Sequence, residues 1–548
     1  MARPESSRKS NFIVQGGLLG MAGIVTRIIG MIYRIPVTNI IGDKGNGYYA
    51  SAYYIYNIML LISSYSLPLA ISKVVSARLS KRQYRNARKV FRGGLIFACI
   101  TGGIAGLIVL FGADKLAEFL KEPLSAIALR IFAPTLLIVA VMGVFRGYFQ
   151  GMGNMVPTAV SQIIEQIINA VISIVAAKSL FDYGKKTAAL LRNEDLSYAY
   201  GAAGSTLGTS VGAFAALLFL VSLYFLVIGR LRKKYEEDER SYEESYGEVM
   251  GLIMLTVFPV VLSTAIYNIN DILDNYCFNR LMEFKGLGAE KTAIWGIYTG
   301  KAKLLLNVPI ALANSISASA VPALASCIAS DNMKGARKRI SAAMRFTMII
   351  SFPCAVGLFV LADPIINLLF SGETVLAASI MRAGAVTVMT YSVSTLSNGM
   401  LQGIGRMNLP VKNAVISLVL HIASLIALMY YTNLGIYAVV ISTVVFSLSM
   451  CFLNSLSLRH AVAYRQEKGR TFIIPALSAG IMGVVIFVIW KLLSFFTGYF
   501  IQTMLPIAAG IGIYFICILK FGAVREDELY DIPMGGRIVR IAKSFGFL

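Results

Sequence analysis

Long apolar stretches, each near the roughly 20 residues a helix needs to cross a hydrocarbon core, alternate along the chain with short polar segments. Fourteen can be read, centred roughly on residues 25, 60, 103, 138, 168, 215, 262, 308, 352, 388, 420, 443, 483 and 511. The connections alternate in character. One set is basic, with Lys/Arg clusters at 3–9, 81–92, 230–234, 334–339, 406–412, 459–470 and 537–543; the other, at 42–47, 112–123, 179–197, 280–290, 371–374, 432–435 and 497–499, is short or mixed. The positive-inside rule assigns the basic set to the cytoplasm. An even number of spans with both termini inside satisfies every loop, so the expected fold is an all-α polytopic membrane protein.

Composition sharpens this reading. Of 548 residues, 57% are hydrophobic and 14% charged, too apolar for a water-exposed surface. Fifty Lys+Arg against 28 Asp+Glu leave a net charge of +22. That excess must sit in loops and tails against an anionic membrane face, which removes nucleic acid as a partner. The two histidines, His421 and His460, give no material for a His-rich metal site, and no metal is expected. His421 lies near the middle of span eleven, where a proton relay and a helix-packing role are both open. The six cysteines are scattered without a CxxC and read as packing residues. The first apolar stretch runs past any small-residue cleavage site, as a retained helix does.

An internal repeat organises the chain. Gly147, Gln150, Gly151 and Gly153, followed by Pro157, recur as Gly399, Gln402, Gly403 and Gly405, followed by Pro410. The sequence 86–89 has a counterpart at 335–338. Spans one to six thus map onto seven to twelve, and because six is even the halves are parallel repeats: two six-helix lobes with two helices added. The expected divisions are 1–232 for the first lobe, 233–248 for a charged cytoplasmic linker, 249–464 for the second lobe, and 465–548 for the last two spans and a tail. The linker reads as a solvated charged face without partners. The repeated glycines suit a tight helix turn, with a gate as the alternative. Gly16-xxx-Gly20, Gly102-xxx-Gly106 and Gly204-xxx-Gly208-xxx-Gly212 read as helix-packing stripes.

Ionised side chains at bilayer depth cost roughly 2.5 to 3.5 kcal/mol even on a lenient scale, so each demands a reason. Arg27 and Arg34 lie two turns apart on nearly one face of span one. Lys301 and Lys303 lie in span eight. Together they would form a cationic chamber suited to a phosphate-bearing substrate, with snorkelling as the alternative. Glu165 in span five, and Asp271 and Asp274 toward the end of span seven, are candidate counter-ions or coupling groups. No P-loop occurs, so transport would draw on the membrane potential, a cation gradient or the substrate's own downhill flow, without a cofactor.

The opening residues 23–34, the Gln150-Gly151-x-Gly153 turn and twelve repeated spans plus two resemble the polysaccharide-transport branch of the multidrug, oligosaccharidyl-lipid and polysaccharide (MOP) exporter superfamily. The similarity is greatest to SpoVB-like and MurJ-like lipid II flippases of Gram-positive bacteria. What the resemblance implies is a MATE/MurJ-like fold in the bacterial cytoplasmic membrane. It implies a non-enzymatic flippase that moves an undecaprenyl-pyrophosphate-linked saccharide, foremost lipid II, from inner to outer leaflet by alternating access. Arg27 matches a cavity arginine of that family; Arg34 lies near, but out of register with, the second. Residues 66–72, where the family carries span-two cations, are neutral until Lys73. The implied partners are the lipid-linked substrate, membrane lipids and cell-wall synthesis proteins. Another polyprenyl-linked saccharide would suit the same architecture. A small-molecule antiporter should have an acidic cavity, and a membrane glycosyltransferase paired carboxylates in a sizeable outer loop; neither is read here.

Overall fold

A computed structural model of the chain describes residues 5–234, 238 and 243–524. The acidic residues 236, 237 and 239 of the expected linker and the basic cluster at 537–543 lie outside the described residues. Every regular element among the described residues is helical. Among the described residues, twelve helices are long and apolar enough to cross a membrane. That tally takes Leu19–Leu79, 61 residues, as one. Straight, it would reach about 90 Å, three times the hydrocarbon thickness. It is not straight: α1 (Glu5–Ser63) leaves helical geometry at Gly42, with φ 67 and ψ −176, and residues 64–66 separate it from α2 (Leu67–Leu79). The Asn46 amide donates to the carbonyls of Gly42 (2.7 Å) and Thr38 (3.3 Å). Residues eight apart in a straight helix would lie about 12 Å from one another, so the chain doubles back here. The segment read as the seventh span is shorter in apolar length, Tyr246–Phe258.

Contacts divide the chain into two compact units, 1–296 and 297–548. The first holds α1, α2, α3 (Tyr84–Phe119), α4 (Ser125–Gly151), α5 (Val156–Leu191), α6 (Asp195–Lys234), α7 (Tyr246–Asn268), α8 (Asn270–Phe284) and most of α9 (Lys291–Ile297). The division falls in α9, whereas the sequence reading opened the second lobe at 249. One buried core surrounds Phe132, Leu136 and Ala203, another Ile71, Phe145 and Leu220. Small residues let backbones meet. A Cβ on Gly204, Gly208 or Gly212 of α6 would strike Ala176 O (2.3 Å), Ser173 Oγ (2.1 Å) or Glu165 O (2.6 Å) of α5, and one on Gly102 or Gly106 would strike α4. Gly20 meets nothing within 4 Å, so the expected packing role of that stripe is absent at Gly20.

The expected linker is not a bare charged face. Glu244 forms an ion pair with Arg78 (2.7 Å) and Glu243 with Lys89 (3.7 Å), while the Arg85 backbone N–H donates to Asp238 (2.6 Å). Opposite charges across α2, α3 and the entry to α7 hold these acidic side chains against the first unit.

The second unit runs from a π-helical turn, Tyr298–Ala302, through α10 (Lys303–Ala329), α11 (Met333–Val360), α12 (Ala362–Leu369), α13 (Val375–Gly403), α14 (Asn408–Tyr431), α15 (Ile436–Val462), a second π turn (Gly469–Ile473), α16 (Ile474–Leu493) and α17 (Tyr499–Lys520). α13 packs on α10, α11 and α15, and α16 on α11 and α17. Large apolar side chains remain exposed in both units, for example Phe111, Leu226, Phe452 and Phe515. Water would penalise that surface; hydrocarbon does not.

The two repeated turns fold alike. Gly153 and Gly405 take left-handed φ of 78 and 79, and their N–H groups donate to Gln150 O (2.9 Å) and Gln402 O (3.0 Å). A Cβ on Gly147 would meet Pro68 O of α2 at 2.6 Å, and one on Gly399 would meet Ser317 Oγ of α10 at 1.9 Å. Each copy is therefore a turn set against the preceding even-numbered span of its own unit.

Candidate functional site

The Gly42 corner sets the register of the first unit's polar wall. Because the two arms of α1 fold back around it, Thr38 meets Asn46 and, one turn further out, Arg34 meets Tyr49. The Arg34 guanidinium lies 4.0 Å from the centre of the Tyr49 ring. Such a contact contributes about 0.5 to 2 kcal/mol and leaves the planar donor fork available to an anion. Tyr49 stacks with Tyr53 (5.9 Å), which adjoins Tyr56 (6.1 Å), and Tyr56 stacks on Phe132 of α4 (4.2 Å). Tyr53 is 38% exposed, and both Arg34 and Asp271 lie within electrostatic reach of its hydroxyl. Two ionisable groups around an exposed aromatic mark a wet face, since lipid would not solvate them.

Arg27 is exposed on α1, two turns before Arg34. Beside this arm, α5 presents polar groups: Asn169 donates to the Tyr33 hydroxyl (3.2 Å) and accepts from Ser173 (2.9 Å). Glu165 pairs with Arg146 of α4 (2.7 Å), whose Nε also donates to Ser161 (3.0 Å). The counter-ion expected for the span-one arginines is thus committed to an arginine that the sequence reading passed over. Asp274 is buried and Asp271 half-buried on α8.

Lys301 departs from its expected placement. It is 1% exposed, and its ammonium donates to the carbonyls of Ser371 (2.8 Å) and Glu373 (2.9 Å), tying the first π turn to the loop before α13. A buried lysine already donating to two carbonyls is placed as a loop tether. Lys303 is half-buried with its ammonium 5.7 Å from the Tyr298 ring. His421 is buried, its Nδ1 2.7 Å from Ser442 O and its ring edge-on to Phe446, as a helix-packing histidine is.

A second polar cluster lies where the loop before α4 meets the start of α9, with Glu122 itself between two candidate spans. Glu122 is buried and accepts from the Thr292 hydroxyl at 2.7 and 2.9 Å, while Lys291 donates to Lys121 O and to Glu283, both at 2.5 Å. Burial pushes the Glu122 carboxyl up to about 7, against the opposing pull of the Thr292 hydroxyl and Lys291. The last turn of α9 comes closer to α1 than any side chain would allow: a Cβ on Gly296 would lie 1.8 Å from Asp43 O. Nothing in the spacing of Glu122 distinguishes it from other loop acids. Arg146, by contrast, satisfies the same criterion that singled out Arg27: a charge inside an apolar run.

Apolar helices turned at glycine corners, with ionisable groups gathered on a wet face, define a multi-pass membrane transport protein. The chain belongs to the polysaccharide biosynthesis protein family, whose sequence model matches residues 14–328; the MatE model matches 259–426. Both lie in the MOP superfamily. The chain is 27% identical to "Lipid II flippase MurJ" of Bacillus subtilis (strain 168), over 93% of this chain and 95% of that one. It is 24% identical to "Stage V sporulation protein B" of the same organism, over 97% and 99%. A solved structure, "Lipid II flippase MurJ, inward closed conformation", superposes with a TM-score of 0.64 at 16% identity, covering 92% of this chain and 98% of that one. The fold is MATE/MurJ-like.

Proposed function

We propose that this protein carries an undecaprenyl-pyrophosphate-linked saccharide, foremost lipid II, from the inner to the outer leaflet of the bacterial cytoplasmic membrane by alternating access. The observation carrying this reading is the Arg34 guanidinium over Tyr49 on the wet face of α1, with Arg27 two turns away. Guanidinium groups bind pyrophosphate oxygens in bidentate fashion, and the exposed Tyr53 ring offers a flat face to a sugar. Likeness over nearly the whole chain to a lipid II flippase supports the same reading. Both termini face the cytoplasm, and the work comes from the membrane potential or a cation gradient.

A second reading, a different polyprenyl-linked saccharide, is favoured by two observations. The stretch 66–72 carries no cation, and Lys301 is committed to carbonyls. The headgroup contacts then differ while the pyrophosphate contacts remain. Complementation of a lipid II flippase-depleted strain separates the two. Growth restored by the wild-type chain supports lipid II; failure at normal membrane abundance supports the second substrate.

A further inference from the structure

The second unit holds a crevice of about 510 Å³ between α11, α13 and α15, bordered by the segment 463–473 that leads into α16. Its shaft is apolar, lined by Met348, Phe352, Met389, Cys451 and Phe452. Its mouth is not. Tyr464 and Gln466 line it, and Gln466 Nε2 is buried without a hydrogen-bond partner. Tyr464 as a residue is only 6% exposed. The Tyr464 hydroxyl hydrogen-bonds Ser341, whose own hydroxyl donates to Glu467 (3.3 Å). A buried donor left unsatisfied costs about 1 to 3 kcal/mol, so Gln466 Nε2 at one end of an apolar shaft calls for an acceptor there.

Charge specifies the acceptor. Arg345 lies within electrostatic reach of Tyr464, exposed Arg465 and Lys468 flank it in sequence, and Arg470 follows, against the single acid Glu467, which already meets Arg470 at 4.0 Å. The shaft has room for one hydrocarbon chain and not for a long polyprenyl chain. We propose that this crevice binds an anionic phospholipid, one acyl chain in the shaft and the phosphate at Gln466 and the surrounding cations. The site is confined to the second unit and does not rest on the substrate proposed above.

The test uses the full chain in nanodiscs of phosphatidylcholine containing a minority of phosphatidylglycerol. A trace of either lipid carries a diazirine midway along one acyl chain, and crosslinks are mapped by peptide mass spectrometry. The phosphatidylglycerol probe should label 344–352 and 448–455 about fivefold more than the phosphatidylcholine probe, the order expected when only phosphatidylcholine sets a headgroup ammonium against the cations at the mouth. Met348→Trp, which fills the shaft, should remove that labelling while leaving labelling at exposed Phe487 unchanged. Arg465→Gln and Lys468→Gln leave the shaft intact and should bring the preference toward unity; they decide the matter if Met348→Trp does not fold. Equal labelling by both probes, or an undiminished preference in both mouth variants, would overturn the proposal. So would displacement of the probe by equimolar undecaprenyl phosphate, which would assign the crevice to the carrier chain.

Discussion

Arg146 and Glu165 form an ion pair of 2.7 Å that joins α4 to α5 behind the wet face of α1. Both side chains are largely buried, so removing one partner strands the other. Arg146→Met should lower stability by about 2 kcal/mol, below the range for fully buried pairs because some solvent reaches this one. The double variant Arg146→Met/Glu165→Met should recover most of the loss. Thermal unfolding in detergent reads both; a double variant no better than the single would mean that the pair does not act as a unit.

Lys301 makes the opposite kind of prediction. Lys301→Met leaves two loop carbonyls without their donor, costing about 1 to 3 kcal/mol, and should reduce melting temperature without altering transport by the protein that remains folded. A variant of unchanged stability that no longer transports would return Lys301 to the substrate path.

Glu122 should make stability depend on pH. Its folded pKa, raised to about 7 by burial, lies above the ordinary value of 4.5, so the folded state holds its proton more tightly than the unfolded one. The resulting stabilisation is full below pH 4.5 and is lost as pH rises through 7, a span of roughly 3 kcal/mol. Glu122→Gln keeps an acceptor for Thr292 and cannot ionise. It should flatten the melting profile between pH 5 and 8 and melt above the wild type at pH 8; an unchanged slope would assign the pH dependence elsewhere.

Gly208 and Gly20 separate packing glycines from incidental ones. A methyl at 208 meets Ser173 Oγ at 2.1 Å and the Asn169 carbonyl at 2.7 Å, whereas one at 20 meets nothing within 4 Å. Gly208→Ala should cost about 1 to 3 kcal/mol. Gly20→Ala should be neutral or slightly stabilising, by up to about 1 kcal/mol. Matched melting curves that order the two variants the other way would contradict the observed approach of α5 and α6.

What the sequence made legible was what periodicity and repetition encode. Apolar length marked the helices, and the two Gln-Gly-x-Gly turns were found as a repeat because both copies need the same left-handed glycine. Pairing was less legible. Glu165 was in view as a counter-ion, but whether Arg27 or Arg146 reaches it depends on the angle at which α4, α5 and α1 meet. Lys301 looked like a cavity cation because composition reports that a charge is buried and not what satisfies it; two backbone carbonyls leave no trace in sequence. Tyr49 faces Arg34 only because the chain reverses at Gly42, and Glu122 becomes unusual only once Thr292 is folded against it.

The central claim is that α1 binds the pyrophosphate of a lipid-linked saccharide during transfer between leaflets. The most direct measurement is leaflet transfer of fluorescent undecaprenyl-pyrophosphate-linked disaccharide in proteoliposomes, comparing the wild type with Arg27→Ala and Arg34→Ala at equal reconstituted amounts. The proposed mechanism predicts transfer above protein-free liposomes for the wild type and a loss of about tenfold or more in each variant, the effect of one charge-assisted contact on a rate. No transfer by the wild type, or both variants matching it, would contradict the mechanism.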